Sequence, residues 1–230
     1  MSITQFQDSI QDRLRIAVQA SLPCQAAPVQ LALGALLSAQ QVPVHTLIAC
    51  SLDEGEACLH VGAALDLVHI GLQRLHARVD AEPEQAGAAA LLGTAGNVLA
   101  GDYLTSGSFK LLVHCGDLQV LEQVADAITR CCELECADMG REGAGAAARA
   151  LPMGAAAAGA GAVLAGLGKD EQALARHYGA ALAAALQAGM TEDSEAAALH
   201  RAAALEAAQA LEAATGKTRP LELVRTHLGG

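Results

Sequence analysis

Along most of this chain apolar residues recur at steps of three and four, the spacing that gathers them on one face of an α-helix. Proline, glycine and capping residues divide the pattern into segments. A first helix is predicted over about Ile3–Leu22, ahead of Pro23. A second runs from about Pro28, suited to a first turn, to Gln40, with Pro43 beyond its end. The short apolar stretch Val44–Ser51 is compatible with helix or strand. Asp53–Gly55 then opens a long helix to about Val79, and the next runs from about Gln85 to His114. Gly116 and Asp117 read as a C-cap followed directly by an N-cap, so a further helix starts there and reaches about Met139. Gly140–Gly145 is a loop by composition. Ala147–Leu167, Asp170–Ala188 and Glu192–Ala214 follow as helices, and Thr218-Arg219-Pro220 starts a short last one.

Composition fits this pattern. Hydrophobic residues make up 53 % of the 230 positions, yet Phe, Tyr and Trp together make up 2 %, so the apolar mass is mostly Ala, Leu and Val. Ala and Leu favour helix, and residues that favour strands are sparse. The expectation is a single all-α domain spanning 1–230, built as a helical bundle. The one long uncharged stretch, Leu151–Gly168, is rich in Ala and Gly and contains Pro152. It reads as a buried helix whose small residues let neighbours approach, not as a membrane span. The start, Met1–Leu22, carries Asp8, Asp12, Arg13 and Arg15 among its apolar positions and reads as an amphipathic helix, not a leader. No transmembrane segment and a cytoplasmic location are expected.

A net charge of −11, with no basic run, argues against nucleic acid as a partner. The seven cysteines are irregularly spaced and form no CxxC pair. Cys131, Cys132 and Cys136 lack a second Cys/His pair to complete a soft-metal site, so all seven are read as small buried hydrophobes. On the Gly55–Val79 helix, Asp66, His69, Gln73 and His76 share a face. Asp66-x-x-His69 is half of a two-metal bundle motif, but no second acid-x-x-His completes it. A hydrogen-bonded polar stripe is the expectation.

Four segments in order resemble the trans-isoprenyl diphosphate synthases. These are Leu67-Val-His69; Val98-Leu-Ala-Gly-Asp-Tyr-Leu104 with Phe109-Lys-Leu-Leu112; the acidic helix Val120–Met139; and Tyr178-Gly179 with Leu186-Gln187. The resemblance implies an isoprenoid-synthase-like bundle. It also shows what is missing. The family's first aspartate-rich motif, DDxxD, clamps Mg²⁺ against an allylic diphosphate; here it falls on His76, Ala77, Arg78, Val79 and Asp80, keeping the last aspartate alone. The family's following Arg–Arg pair becomes Glu84-Gln85, and a Lys–Thr pair falls on Arg149-Ala150. The second DDxxD, after Gln187, falls on Met190, Thr191, Glu192, Asp193 and Ser194. The chain then ends without the family's full set of C-terminal helices, implying a bundle truncated there.

Short members of the family with lost motifs are the small, regulatory subunits (component 1) of heterodimeric heptaprenyl or hexaprenyl diphosphate synthases, and Ala100–Leu112 is similar to their AGDYxSGxxxKLL segment. The resemblance thus implies a non-catalytic subunit in isoprenoid quinone side-chain synthesis. Its partner would be an intact prenyl diphosphate synthase that holds the Mg²⁺, with none bound here, or a second copy when alone. Contact would run through the helices around Gly96–Cys115 and Val120–Met139. Asp102, Tyr103 and Phe109 would then be structural or interface residues, while His69, Gly71 and Leu72 would line a vestigial cavity, with a small opening at Gly71. Two other readings stay open: an enzyme active alone through a metal site of Asp66, His76 and Asp80, and a self-associating helical scaffold or prenyl-chain carrier.

Overall fold

The structure is a computed structural model that describes residues 1–23, 42–75, 93–138, 146–190 and 194–229, together with Gln30 and Gly34. Of the described residues 87 % are helical and none is in a strand. The helices are α1 (Ile3–Ser21), α2 (Val44–Cys50), α3 (Glu56–Ile70), α4 (Gly93–Cys115), α5 (Leu118–Asp138), α6 (Ala146–Leu164), α7 (Lys169–Ala188), α8 (Ser194–Thr215) and α9 (Arg219–Leu228). The predicted helix over Pro28–Gln40 and the loop over Gly140–Gly145 lie outside the described residues.

Local chemistry sets several boundaries. At the start of α1, Gln5 N–H donates to Ser2 Oγ at 3.3 Å while Ser2 N–H donates to Gln5 Oε1 at 3.0 Å, a reciprocal cap. Gly116 has φ +72°, which a side chain would strain, and it ends α4; Asp117 Oδ1 then accepts from Val120 N–H at 3.0 Å and starts α5. The ambiguous stretch after Pro43 is helix, because all seven residues His45–Ser51 are buried within the bundle, where backbone groups need internal partners. The helix expected to run to Val79 is α-helical as far as Ile70 and then widens into a π turn over Gly71–Leu75. Thr218 precedes α9 but its side chain accepts no capping hydrogen bond from the first turn, a departure from the expected cap-and-Pro start.

Helix α6 lies at the centre, packed most extensively on α7 and also on α2, α3 and α5. Small residues make this possible. A Cβ on Gly154 would overlap the Gly179 carbonyl, and one on Gly179 would overlap the Gly154 carbonyl, so α6 and α7 touch backbone to backbone. Gly161 meets Ala49 of α2 in the same way, and Gly62 of α3 meets Thr46. The expectation of a buried, small-residue helix at Leu151–Gly168 therefore fits, and α6 continues through Pro152. Ala147–Leu164 is long and apolar enough to cross a membrane, but half of it is buried against the other helices.

Leu and Ile fill the remaining space: Leu59, Leu65, Leu67, Leu104, Leu111, Leu182 and Leu211 are fully buried, as are Phe6, Ile10 and Ile48. Cys50, Cys58 and Cys131 join them. Burial pushes the Cys50 and Cys131 thiols up to about 12, and that of Cys58 upward as well. Cys132 and Cys136 depart from the reading of all cysteines as core residues, since both are exposed on the outer side of α5. One residue after the inward Cys131, a helical step of about 100° turns the side chain out.

Candidate functional site

The polar face of α3 is organised by Asp66. Its Oδ1 accepts from His45 N–H at 3.0 Å and from the His45 Nδ1–H at 2.8 Å. Its Oδ2 accepts from Thr46 N–H at 3.0 Å and from Thr46 Oγ1–H at 2.6 Å. Both carboxylate oxygens thus close the first turn of α2, whose amide protons have no partner within their own helix. The His45 ring, buried, stands 5.3 Å from the His69 ring, centre to centre, at a tilt of 52°. Nδ1 is the ring nitrogen engaged with Asp66, which leaves Nε2 on the far side of the ring. His69 is half-buried at the end of α3.

The π turn carries the stripe onward. Gly71 lies against α4: a Cβ there would stand 3.3 Å from Gly101 O and 3.6 Å from Thr105 Oγ1. The lack of a side chain at Gly71 therefore admits helix α4, not the small opening expected from the sequence. Leu72 is half-buried against the apolar core. Gln73 hydrogen-bonds Glu135 of α5, and Glu135 Oε1 pairs with Arg149 Nε of α6 at 3.2 Å. Glu135 therefore ties three elements together, whereas Glu133 is exposed and pairs with Arg130 at 2.8 Å.

The residues that carry the sequence resemblance are largely packing residues. Tyr178 is fully buried, with its hydroxyl 3.2 Å from Ser51 Oγ, and burial pushes the phenol upward. Its neighbour Gly179 makes the crossing with α6. In Val98–Leu104, Ala100, Gly101 and Leu104 point inward, while Val98, Leu99 and Asp102 lie on the exposed side. Tyr103 is half-buried against the core, and Phe109 is 50 % exposed. The buried ones among them report how the helices fit together.

Of the aspartate-motif positions, His76, Ala77, Asp80 and Thr191 lie outside the described residues, as do Arg78, Glu84 and Gln85. Gln187 is half-buried near the end of α7, and Met190, just beyond it, is 72 % exposed. A hard dication such as Mg²⁺ requires several oxygen ligands, and neither an amide nor a thioether in these places replaces a carboxylate pair. Among the described residues no group of three His, Cys, Asp or Glu is placed to hold a metal ion. Asp66 does not suit the alternative metal site with His76 and Asp80, because both its oxygens already hold α2. The described residues do not fit a Mg²⁺ centre.

The sequence reading missed His45, Thr46 and Ser51, the partners of Asp66 and Tyr178. The polar pair His45-Thr46, two and three residues after Pro43, was a signal that a helix start there needed a partner.

No protein-family model matches the sequence, and no curated protein does. Solved structures do. A decaprenyl diphosphate synthase from Rhodobacter capsulatus superposes with a TM-score of 0.76 at 15 % identity, over 99 % of this chain and 97 % of that one. A polyprenyl synthase from Caulobacter crescentus, complexed with calcium and isoprenyl diphosphate, gives 0.76 at 17 % identity over the same shares. A geranyltranstransferase from Thermotoga maritima gives 0.74 at 16 % identity, over 97 % and 96 % of the two chains. These spans reach nearly end to end, so the truncation expected from the sequence does not set this chain apart from them. The crossings of α6 with α7 and of α3 with α4, Tyr178 in the core and these end-to-end superpositions together give the chain the helical fold of the isoprenoid synthases.

Proposed function

We propose that this chain is a non-catalytic, regulatory subunit of a heterodimeric synthase of medium- or long-chain polyprenyl diphosphate, of the heptaprenyl component 1 kind, serving isoprenoid quinone side-chain synthesis. The observation that carries the reading is the state of the polar face leading to the first motif: Asp66 is consumed by helix α2, and the next motif positions in sequence are His76 and Ala77. A carboxylate that already accepts four hydrogen bonds has no vacant position for a metal without unfastening α2. The fold of known prenyltransferases supports the same reading, since it is retained while the paired aspartates that open each motif are replaced by His76-Ala77 and Met190-Thr191.

In this proposal a partner with both aspartate motifs binds Mg²⁺, ionises the allylic diphosphate and condenses it with isopentenyl diphosphate, while this chain completes the dimer and borders the elongation cavity. The test is reconstitution in the cytoplasm-like reducing buffer such a pair would work in. Prenyl transfer is expected on mixing this chain with an intact synthase subunit encoded beside it, with co-elution of the two and a product longer than the partner makes alone. Robust turnover of allylic and isopentenyl diphosphates by the isolated chain with Mg²⁺ overturns it.

A further inference from the structure

Helices α1, α3 and α4 enclose a cavity of about 350 Å³, lined by Ala17 and Ala20 of α1, His60 of α3, and Lys110, Val113 and His114 of α4. The small side chains of α1 leave the space. The His60 and His114 rings stand 5.4 Å apart, centre to centre, at a tilt of 46°. His60 precedes His69 by nine residues, about 13 Å along α3 by the helical rise. The pair is therefore separate from the face that Asp66 organises.

Each ring presents one nitrogen to this space. His114 Nδ1 lies 2.6 Å from the Lys110 carbonyl oxygen. A carbonyl only accepts, so Nδ1 carries the proton and the neutral ring keeps its lone pair on Nε2. A backbone carbonyl in that position fixes the tautomer of metal-bound histidines. His60 Nδ1 is buried and has no hydrogen-bond partner among the described residues, which leaves Nε2 as the nitrogen on the cavity side. Burial first, and His114 next, hold the His60 pKa below the usual value. The ring is then neutral at pH 7, the form that ligates.

The spacing matches a shared ion. A metal about 2.1 Å from a ring nitrogen lies about 3.2 Å from the centre of that ring, so two imidazoles on one tetrahedral ion have centres about 5.2 Å apart. The His45 and His69 rings are spaced alike, at 5.3 Å, but His45 is 3 % exposed and Asp66 already engages it. Charge selects the metal. No carboxylate lines the cavity, and Glu56, one turn before His60, is paired with Arg13 at 2.7 Å. Hard ions such as Mg²⁺ and Ca²⁺ need carboxylates, whereas imidazole suits Zn²⁺, Cu²⁺ and Ni²⁺; tetrahedral spacing favours Zn²⁺.

We propose that His60 and His114 bind one zinc ion through their Nε2 atoms, joining α3 to α4 at this cavity, with water in the remaining positions. The site goes beyond the proposed role in prenyl transfer and does not rest on it.

Calorimetric titration of the whole chain with zinc chloride tests it, in a Cys132→Ser, Cys136→Ser background that removes the exposed thiols. One ion per chain is expected at this site. His60→Ala and His114→Ala should each weaken binding by about tenfold or more, and His69→Ala should leave it unchanged. Mg²⁺ in about hundredfold excess should not displace the zinc. Affinity should fall between pH 7.5 and 5.5 as protons compete for the two rings. Lys110, Arg13 and Glu56 keep their charges across that range, so the change reports the histidines. Circular dichroism checks that each variant is folded. In the unsubstituted histidine background, zinc should shift the ring proton resonances of His60 and His114 and not those of His45. Zinc affinity unchanged in both His60→Ala and His114→Ala, loss of binding in His69→Ala, or affinity that rises as the pH falls overturns the proposal.

Discussion

Asp66 of α3 holds the amino end of α2 through His45, taking that residue's backbone N–H at 3.0 Å and its ring Nδ1–H at 2.8 Å on the same oxygen, Oδ1. Oδ2 does the same for Thr46. One side chain therefore satisfies two orphan amides, an imidazole and a hydroxyl between two core helices.

Asp66→Ala should accordingly be among the most destabilising single changes in the molecule. It leaves four donors without an acceptor in a largely buried place, for a loss of about 2–4 kcal/mol in urea unfolding. Asp66→Asn retains the shape but loses the charge and half the acceptor capacity, and should fall in between. A change below about 0.5 kcal/mol for Asp66→Ala shows that water or a neighbour replaces the carboxylate and that the link is not structural.

The α6–α7 crossing gives a second expectation. Gly154→Ala and Gly179→Ala each push a methyl group into the facing backbone. Backbone cannot give way as a flexible side chain does, so each should cost about 1–3 kcal/mol or prevent folding. Gly189→Ala is the control. Gly189 has φ −63° and its new methyl stands 3.4 Å from Ala185 O, an ordinary contact. Its melting temperature should stay close to that of the wild type.

Thiol chemistry should sort the cysteines by burial. Native-state alkylation at pH 8 followed by peptide mapping should modify Cys132 and Cys136 well before Cys50, Cys58 and Cys131. The same burial makes stability fall in alkali. Unfolded thiols lose their protons above about pH 9, whereas Cys50 and Cys131 keep theirs to about 12, so the native state binds more protons between those values. Each thiol then removes about 1.4 kcal/mol of stability per pH unit across that window, and none below it. Urea midpoints measured from pH 7 to 11 should drop above pH 9, less steeply in Cys50→Ala.

Arg149 and Glu135 should prove coupled. Both side chains are less than a third exposed, and each belongs to a different helix. A double-mutant cycle with Arg149→Ala and Glu135→Ala is expected to give a coupling of about 1 kcal/mol. Additive effects mean that the pair is incidental.

Much of the fold was legible in the sequence. The starts of α1, α5 and α7 and the end of α4 follow from Ser2, from Gly116-Asp117 and from the acids after Gly168, all local signals that act within one turn. The site was legible in a different sense. Sequence alone placed Asp66 and His69 on one face, yet a two-ligand half-motif and a structural cap look the same until the partners are known. Those partners, His45 and Thr46, stand about twenty residues away on a helix that periodicity did not decide, and a fold is needed to bring them together. Glu135 posed the same difficulty: on its own helix it belongs to an acidic face, and Gln73 and Arg149 become its partners through packing alone.

The sequence by itself determined that the chain is helical, that its apolar mass is small-residue rich, and that carboxylates are absent from the aligned metal positions Ala77, Met190 and Thr191, because these are properties of composition and order. Tertiary structure decided which glycines are crossings, which cysteines are core, and that Asp66 holds the first turn of a neighbouring helix. Those outcomes depend on which surfaces meet, and a side chain's chemistry is set by the atoms within about 4 Å of it, most of which come from distant parts of the chain.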